Sequence, residues 1–353
     1  MRAFECAAIL ALSVSAAGAL HAQSKDSLLV LSKHDHTLAM VDPGTLKVTA
    51  RVPVGEDPHE VIASADGTRA YVSNYGFGAF HTLAVVDLVA HRAMPPIDLG
   101  ALRGPHGLIY QGGETWFTAE AAKALGRYDP ATGKVDLILG TGQNRTHMIW
   151  VSPDGQQIVT TNVSSGTVSI FTQEPVRRPG PPPGAPGGAG SLPPGPPPGS
   201  PPLPRTDWNE TSIRVGNGSE GFDVSPDKKE IWVANAQDGT LSVVSLPEKK
   251  VLQTLQVDVR GANRLKFTPD GRTVLVSSGP DLVVLDAAAR VVKARVPIGH
   301  GSGGILVEPD GARAFVACGP DNSVVVVDLQ TLKVAGHVEV GGEPDGMAWA
   351  VRQ

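Results

Sequence analysis

A tight turn built around an Asp-Gly pair recurs along the chain, and this repeat constrains the fold more than any other feature. In chain order, the turn is Ala-Asp-Gly at 65–67, Pro-Asp-Gly at 153–155, Pro-Asp-Lys at 226–228, and Pro-Asp-Gly at 269–271 and 309–311. The aspartates of the last three copies are spaced by 43 and 40 residues, and those of the first two copies by 88, or two periods. A period of 40 to 45 residues is typical of propeller blades. The chain is therefore expected to be a tandem array of one structural unit.

Each period contains four short, Val-rich runs separated by Gly and Asp residues. In the clearest unit these runs lie at 60–64, 70–74, 83–87 and 94–100. Apolar residues do not recur at helical spacing in any unit, whereas four short strands per period are typical of a propeller blade. The sequence predicts an all-β, seven-bladed β-propeller made of four-stranded antiparallel blades.

The first and last units are incomplete in complementary ways. The first unit lacks an opening strand, and residues 342–350 at the end of the chain resemble residues 55–63, which open the second unit. Sharing one blade between the two termini removes the sheet edges that an open array would expose. We therefore expect the N- and C-terminal strands to close the ring in blade 1.

Two segments stand apart from the repeat. Residues 1–22 contain a 14-residue apolar run, Ala7 to Leu20, with the layout of a secretory signal peptide. Residues 175–205 hold 14 of the 30 prolines and 7 glycines in 31 residues, a composition that cannot support a sheet or a core. The predicted organisation is a signal peptide (1–22) and a propeller (23–353) with a disordered Pro/Gly-rich insertion (175–205) in blade 4. A solvated spacer and a segment that binds a partner both remain open for the insertion.

The net charge, the apolar segments and the cysteine count limit the kinds of partner and environment expected for this chain. The formal net charge of −5 provides no basic field for a phosphate backbone, so nucleic-acid binding is not expected. After the leader no segment is long and apolar enough to span a membrane. Removal of the leader leaves Cys318 as the one cysteine, which predicts a small core residue and no disulfide. We expect an exported monomer, periplasmic or extracellular.

Several short motifs resemble the YVTN-repeat β-propeller family. They are Tyr-Val-Ser-Asn at 71–74, Trp-Val-Ala-Asn at 232–235, the Ser-Pro-Asp-Gly turn and Arg-Val-Pro-Val-Gly at 51–55. The resemblance covers essentially the whole mature chain except the insertion, and it implies a seven-bladed propeller of exported or cell-surface proteins. Related propellers include lactonases, a streptogramin lyase and the large subunit of quinoprotein amine dehydrogenases, so the resemblance does not specify the chemistry.

Polar residues collect at one end of the predicted channel. We call this end the top face, where the innermost strands begin and the second strands end. His59, His106 and His147 enter the innermost strands of three neighbouring blades, and Glu120 ends the second strand of the middle blade. Imidazole and carboxylate groups are ligands for Zn²⁺, Cu²⁺ or Ni²⁺, and the same histidines are suited to proton transfer near neutral pH. The candidate ligand-binding residues, expected to be partly solvated, are His59, His106, His147, Glu120, Asn74, Asn162, Glu220 and Asp345.

Two functions follow from these residues. The first is a binding module that engages an unidentified protein or small molecule through the top face. The alternative is a metal-assisted lactonase or lyase at the channel mouth, in which a divalent metal ion held by His59, His106 and His147 polarises a substrate carbonyl. The Pro-His pairs at 58–59 and 105–106 are also compatible with a purely structural turn. The sequence identifies no catalytic residue.

Overall fold

The computed structural model describes residues 26–176 and 206–352. Within these residues, seven antiparallel four-stranded sheets form a ring, and the predicted propeller is confirmed. The strands of the first four blades, from the channel outward, are as follows. Blade 1 has β28 (Pro344–Val351), β1 (Asp26–Ser32), β2 (Thr37–Asp42) and β3 (Lys47–Pro53); blade 2 has β4 (Pro58–Ala63), β5 (Arg69–Asn74), β6 (Thr82–Asp87) and β7 (Arg92–Asp98); blade 3 has β8 (Pro105–Gln111), β9 (Glu114–Ala119), β10 (Ala124–Asp129) and β11 (Lys134–Gly140); blade 4 has β12 (Thr146–Val151), β13 (Gln157–Asn162), β14 (Thr167–Pro175) and β15 (Thr206–Arg214).

The other three blades repeat this order. Blade 5 has β16 (Ser219–Val224), β17 (Glu230–Asn235), β18 (Thr240–Ser245) and β19 (Lys250–Gln256); blade 6 has β20 (Ala262–Phe267), β21 (Thr273–Ser278), β22 (Asp281–Asp286) and β23 (Val291–Pro297); blade 7 has β24 (Ile305–Val307), β25 (Arg313–Cys318), β26 (Ser323–Asp328) and β27 (Lys333–Val338). Two short 3₁₀ helices, Gly76–Gly78 and Gly319–Asp321, interrupt top-face loops of blades 2 and 7. In the described part of the chain, no helix is long and apolar enough to cross a bilayer.

The termini close the ring as the repeat predicts. Strand β28 pairs antiparallel with β1, in a register that places Asp26 opposite Val351 and Leu29 opposite Ala348. A backbone hydrogen bond from the amide of Lys33 to the carbonyl of Glu343 extends this pairing beyond the strand ends. The innermost strand of blade 1 is therefore supplied by the C-terminus of the chain.

The core lies between neighbouring blades, where the Val-rich faces of successive sheets pack against each other. Trp232 of blade 5, for example, is fully buried and meets Phe267 of blade 6 edge-on at 5.8 Å. Cys318 is fully buried in the layer between blades 6 and 7, and burial raises the pKa of its thiol to about 11. The expectation that Cys318 is a core residue is confirmed.

Aspartates at the ends of the third strands serve the turns, as their periodic recurrence predicts. Oδ1 of Asp42 accepts hydrogen bonds from the amides of Gly44 and Thr45. The equivalent Asp328 accepts from the amides two and three residues ahead in the same way. These carboxylates hold the turns between third and fourth strands and take no part in the channel.

The predicted signal peptide and most of the Pro/Gly-rich insertion lie outside the described residues. The strands that flank the insertion do pair: β14 and β15 form a nine-residue ladder that ends where Pro175 meets Thr206. This end of blade 4 lies on the face opposite the top face, because β14 begins beside the end of β13 at the top.

Deleting residues 179–204 is expected to leave the free energy of unfolding nearly unchanged. The deletion leaves four residues to connect Pro175 with Thr206, a common hairpin length, and removes none of the described contacts. Urea denaturation of both proteins measures the difference. A loss above ~2 kcal/mol would contradict the assignment of the segment as a solvated spacer.

Candidate functional site

The top face is formed as predicted, because each innermost strand starts opposite the end of a second strand. Pro105 faces Ala119 in blade 3, and Thr146 faces Asn162 in blade 4. After this first pair the register shifts by a bulge, and pairing resumes only three residues later in blades 2 to 6. Bulges release residues from the ladder and re-aim their side chains. The residues released directly after the first pair are His59, His106, His147, Glu220 and Asn263.

Three of the predicted residues meet at the channel mouth. One nitrogen each of His106 and His147 and one carboxylate oxygen of Glu120 lie within 4.8 Å of one another, and all three side chains are buried. We call this set the mouth cluster. The two imidazole rings lie 3.9 Å apart between centroids. Gly107 permits this approach, since a Cβ atom there would stand 2.5 Å from the carbonyl oxygen of His147.

A chain of hydrogen bonds fixes the mouth cluster. The Tyr75 hydroxyl donates to Oε2 of Glu120 at 2.6 Å, and Nδ1–H of His147 donates to Oε1 of the same carboxylate at 2.5 Å. Nε2 of His147 lies 2.9 Å from Oε1 of Glu220, an ion-pair distance without hydrogen-bond geometry. Glu120 therefore sets the orientation of His147, and Nε2 points toward a second carboxylate from blade 5.

Two imidazole nitrogens of the mouth cluster are buried and have no hydrogen-bond partner among the described residues. They are Nδ1 of His106 and Nε2 of His147. The residues are 3% and 2% exposed, so the expectation of partly solvated histidines is wrong for both. The bulge turns the rings inward, where they stack on each other instead of facing solvent. Since buried polar groups are normally paired, Nδ1 of His106 marks an unfilled binding capacity, whereas Nε2 of His147 already has the Glu220 carboxylate at 2.9 Å.

His59 lies next to the mouth cluster but has other partners. Its ring centroid is 4.9 Å from that of His106. Its Nε2 is 3.0 Å from Oδ1 of Asp57, and its Nδ1 is 3.7 Å from Oδ2 of Asp345, which also lies 3.5 Å from Nζ of Lys33. The three histidines predicted as metal ligands are thus neighbours, but His59 is engaged by two carboxylates, and Glu120 is the third group that converges with the other two.

The pKa values of the two histidines of the mouth cluster are shifted in opposite directions. Burial, together with the nearby His147 cation, holds the pKa of His106 well below its usual range, so this ring is neutral. Burial alone would lower the pKa of His147, but the Glu220 and Glu120 carboxylates outweigh burial and raise it. Burial likewise opposes ionisation of Glu220, yet the His147 charge lowers the pKa of Glu220 to about 2. A neutral imidazole therefore stands beside one whose protonated form is favoured by two carboxylates.

The remaining two candidates, Asn74 and Asn162, are fully used by the fold. Nδ2 of Asn74 donates to the carbonyls of Val54 and Glu56, and Nδ2 of Asn162 donates to side-chain oxygens of its own blade. Both are buried. They stabilise the loops around the mouth, and their amide N–H groups are not free to bind a ligand.

A buried ion pair closes the channel below the mouth. Arg264, on the innermost strand of blade 6, pairs with Glu60 on the innermost strand of blade 2, across the channel. The same guanidinium donates to Oδ1 of Asn263 at 2.9 Å, and the Glu60 charge keeps Arg264 ionised despite its burial. Beneath this pair lies a cavity of about 320 Å³ with largely apolar walls that include Trp150 and Trp349. The ion pair is therefore the floor of the mouth.

Arg145 stands over the mouth cluster in an unusual backbone conformation. It has φ of 54°, in the left-handed region, at a position that is Gly104, Gly218 and Gly261 in three other blades. Such a conformation costs a residue with a side chain of order 1 kcal/mol or more and is concentrated at functional sites. Nε of Arg145 lies 3.5 Å from Glu120, and a terminal nitrogen lies 3.7 Å from Glu220.

Sequence reasoning missed several residues of the mouth. Tyr75 and Arg145 contact Glu120, and Glu60 and Arg264 pair with each other below the mouth. Arg145 alone had a recognisable signal, because aligning the blades places it where three others have glycine. The contacts of the other three depend on the bulge and on strands that face each other across the channel, and neither feature has a local pattern.

Comparisons with known proteins support the fold. No protein-family model and no curated protein sequence matches the chain. Solved structures that share the architecture include a functionally unknown protein from Desulfotomaculum acetoxidans DSM 771, with TM-score 0.71 and 13% identity over 93% of this chain and 99% of that one. Hydrazine synthase from Kuenenia stuttgartiensis is similar with TM-score 0.66 and 18% identity over 87% and 94% of the chains. A Bacteroides uniformis protein described provisionally as a 6-phosphogluconolactonase has TM-score 0.66 and 15% identity over 92% and 99%. At these identities the likeness establishes the seven-bladed propeller fold alone.

Proposed function

We propose that this propeller is an exported binding module whose mouth cluster holds a divalent transition metal ion, through which it binds a small-molecule ligand at the top face. The observation that carries the proposal is the convergence of two buried imidazoles, one with an unpartnered nitrogen, with a buried carboxylate. One nitrogen of each ring and one oxygen of Glu120 lie within 4.8 Å of one another. Imidazole nitrogen and carboxylate oxygen are the donors that Zn²⁺, Cu²⁺ and Ni²⁺ accept.

The charge balance of the mouth supports a cation. Five carboxylates stand at or just below the mouth, against the cationic side chains of Lys33, Arg145 and Arg264. His147 as an imidazolium adds a fourth positive charge, but it must lose that proton to coordinate a metal ion. Once it does so, a divalent ion restores the balance. The five carboxylates are Asp57, Glu60, Glu120, Glu220 and Asp345.

The groups around the mouth cluster have the roles that outer-shell residues have at metal sites. Ligating histidines usually donate their second ring N–H to a carboxylate, which fixes the ring orientation. His147 does so to Glu120, and Tyr75 holds the other oxygen of that carboxylate. This arrangement leaves Nε2 of His147 as its coordinating atom. A neutral His106 carries a free lone pair on one ring nitrogen, and its Nε2–H tautomer places that lone pair on Nδ1.

A metal-assisted lactonase is the second candidate function. It is favoured by His59, because burial lowers the pKa of this ring despite the opposing charge of Asp345. A neutral imidazole beside the mouth cluster is suited to accept a proton from an attacking water, and the metal ion would polarise the lactone carbonyl. The provisional lactonase description of one structural neighbour belongs to that protein and agrees with this candidate only at the level of the fold.

Calorimetric titration with Zn²⁺, Cu²⁺ and Ni²⁺ at pH 7.5 is expected to show one site per chain for at least one of them. Since loss of an outer-shell partner costs 10–100-fold in affinity, Glu120→Gln should weaken binding by at least about tenfold, and loss of a ligand in His106→Ala should weaken it at least as much. Affinity should also fall as the pH is lowered, because protonated imidazole cannot coordinate.

The matched control is His300→Ala. His300 also lies on the top face and pairs with a carboxylate, Nδ1 standing 2.6 Å from Asp321, but it is exposed and outside the mouth cluster. Its loss should leave metal affinity unchanged. If none of the three ions binds, the metal proposal fails, and the mouth cluster is an imidazolium bridged by two carboxylates. If metal binds but chelation does not change the hydrolysis of γ- and δ-lactones, the binding module stands without the lactonase.

A further inference from the structure

The guanidinium of Arg145 lies above the mouth cluster, and no hydrogen bond to a described residue uses its donors. Its two ion-pair contacts, at 3.5 and 3.7 Å, are long. Its side chain is 44% exposed, whereas those of the two partner carboxylates are 3% and 17% exposed. A planar guanidinium carries five N–H donors in a fork that matches a carboxylate. Arg145 therefore presents donors to solvent directly above buried groups.

The backbone position of Arg145 is one from which side chains reach the mouth. Three equivalent positions are glycine, which reaches positive φ without a steric penalty. The other two side-chain-bearing residues with positive φ at this position are Asp57 and Glu343. Asp57 holds His59, so this backbone position delivers a side chain to the mouth in blade 2 as well. In blade 4 the same geometry brings a cation to the rim.

We infer that the ligand of the mouth is a small carboxylate anion, with Arg145 binding its carboxylate while the metal ion takes a second oxygen. The inference rests on the proposed metal site. Without the ion, the Glu120 and Glu220 carboxylates beneath Arg145 offset its positive charge and repel an incoming anion. With a divalent ion bound to the histidines, the carboxylates are neutralised and the guanidinium is free to pair with an incoming anion, in the bidentate mode that arginine favours.

Glycolate and its neutral isostere glycolamide form a suitable pair of probes. Both carry a hydroxyl oxygen for the metal ion, but only glycolate carries a carboxylate for Arg145. Titrated calorimetrically into the Zn²⁺-loaded full chain, glycolate is expected to bind at least tenfold more tightly than glycolamide. Zinc content measured after each titration confirms that the probe has not removed the ion.

The variant Arg145→Gln separates ligand recognition from a structural role. Glycolate affinity should fall at least tenfold, to the level of glycolamide, whereas Zn²⁺ should bind more tightly because a positive charge beside Glu120 is gone. A residue that only supports the loop would weaken both. Arg51→Gln, which removes an exposed arginine from the outermost strand of blade 1, should alter neither affinity.

The outcomes distinguish this inference from the proposal beneath it. If Zn²⁺ binds but glycolate and glycolamide bind equally, or Arg145→Gln leaves the preference intact, the carboxylate inference is overturned and the metal site stands. If Zn²⁺ itself does not bind, the metal proposal fails and the inference fails with it.

Discussion

Deleting residues 342–353 is expected to abolish the folded monomer. The deletion removes β28, and with it every backbone hydrogen bond that β1 makes on its channel side. It also takes Ala348 and Ala350 out of a buried layer and Trp349 from its contact with Phe315. An exposed strand edge and the loss of this packing are large effects for a domain, whose total stability is only ~5–15 kcal/mol. Size-exclusion chromatography with light scattering and circular dichroism melting should show aggregation and no cooperative transition.

A circular permutant is the matched control. Because Val351 is paired with Asp26, a short linker can join β28 directly to β1, with the new C-terminus at Gly341. This protein keeps every strand pair and should melt close to the parent temperature. If the truncated chain were instead monomeric and as stable as the parent, closure of the ring by the terminal strands would not contribute to stability.

Replacing Arg264 by leucine is expected to destabilise the protein by about 3–5 kcal/mol, because it leaves the carboxylate of Glu60 buried without a counter-charge. Urea denaturation at pH 7 measures the loss. The double variant Arg264→Leu/Glu60→Leu removes both charges and should recover most of it, since an apolar pair often replaces a buried ion pair at little cost.

An exposed ion pair provides the comparison for Arg264. Nζ of Lys250 lies 2.6 Å from Glu248, but both side chains are more than half exposed. Lys250→Met should therefore change the free energy of unfolding by no more than about 1 kcal/mol. If Arg264→Leu also lowers the free energy of unfolding by less than about 1 kcal/mol, the ion pair at the floor of the mouth is hydrated and does not stabilise the contact between blades 2 and 6.

The architecture was predictable because its signals are local and repeated. The turn at Asp66 is specified by its own neighbours: Oδ1 accepts from the amide of Thr68, and the Ser64 hydroxyl donates to the same oxygen. Alternation with a period of two then sets which side chains face the next blade. Repetition of such weak signals along the chain identifies one blade type, and the complementary defects at the termini identify ring closure.

The candidate site was predictable only in part. Placing His106, His147 and Glu120 at one end of the channel requires only the strand order, which the repeat supplies. Their convergence requires the bulge after the first strand pair and the absence of a side chain at Gly107. Neither the bulge nor Gly107 changes the hydrophobic pattern of the sequence. For that reason the sequence indicated His59 as a metal ligand on an equal footing with His106 and His147.

By itself, the sequence determined the seven-bladed ring, the blade shared by the termini and the face on which the histidines collect. The tertiary structure alone decided which of these side chains meet, that the rings of His106 and His147 are buried, and that Arg264 reaches Glu60 across 204 positions of the chain. The physical reason is the separation along the chain between the residues that interact. Turns and strands are stabilised within a few residues, whereas contacts at a channel mouth join the starts of strands about forty residues apart, and their distances depend on how tightly the blades pack.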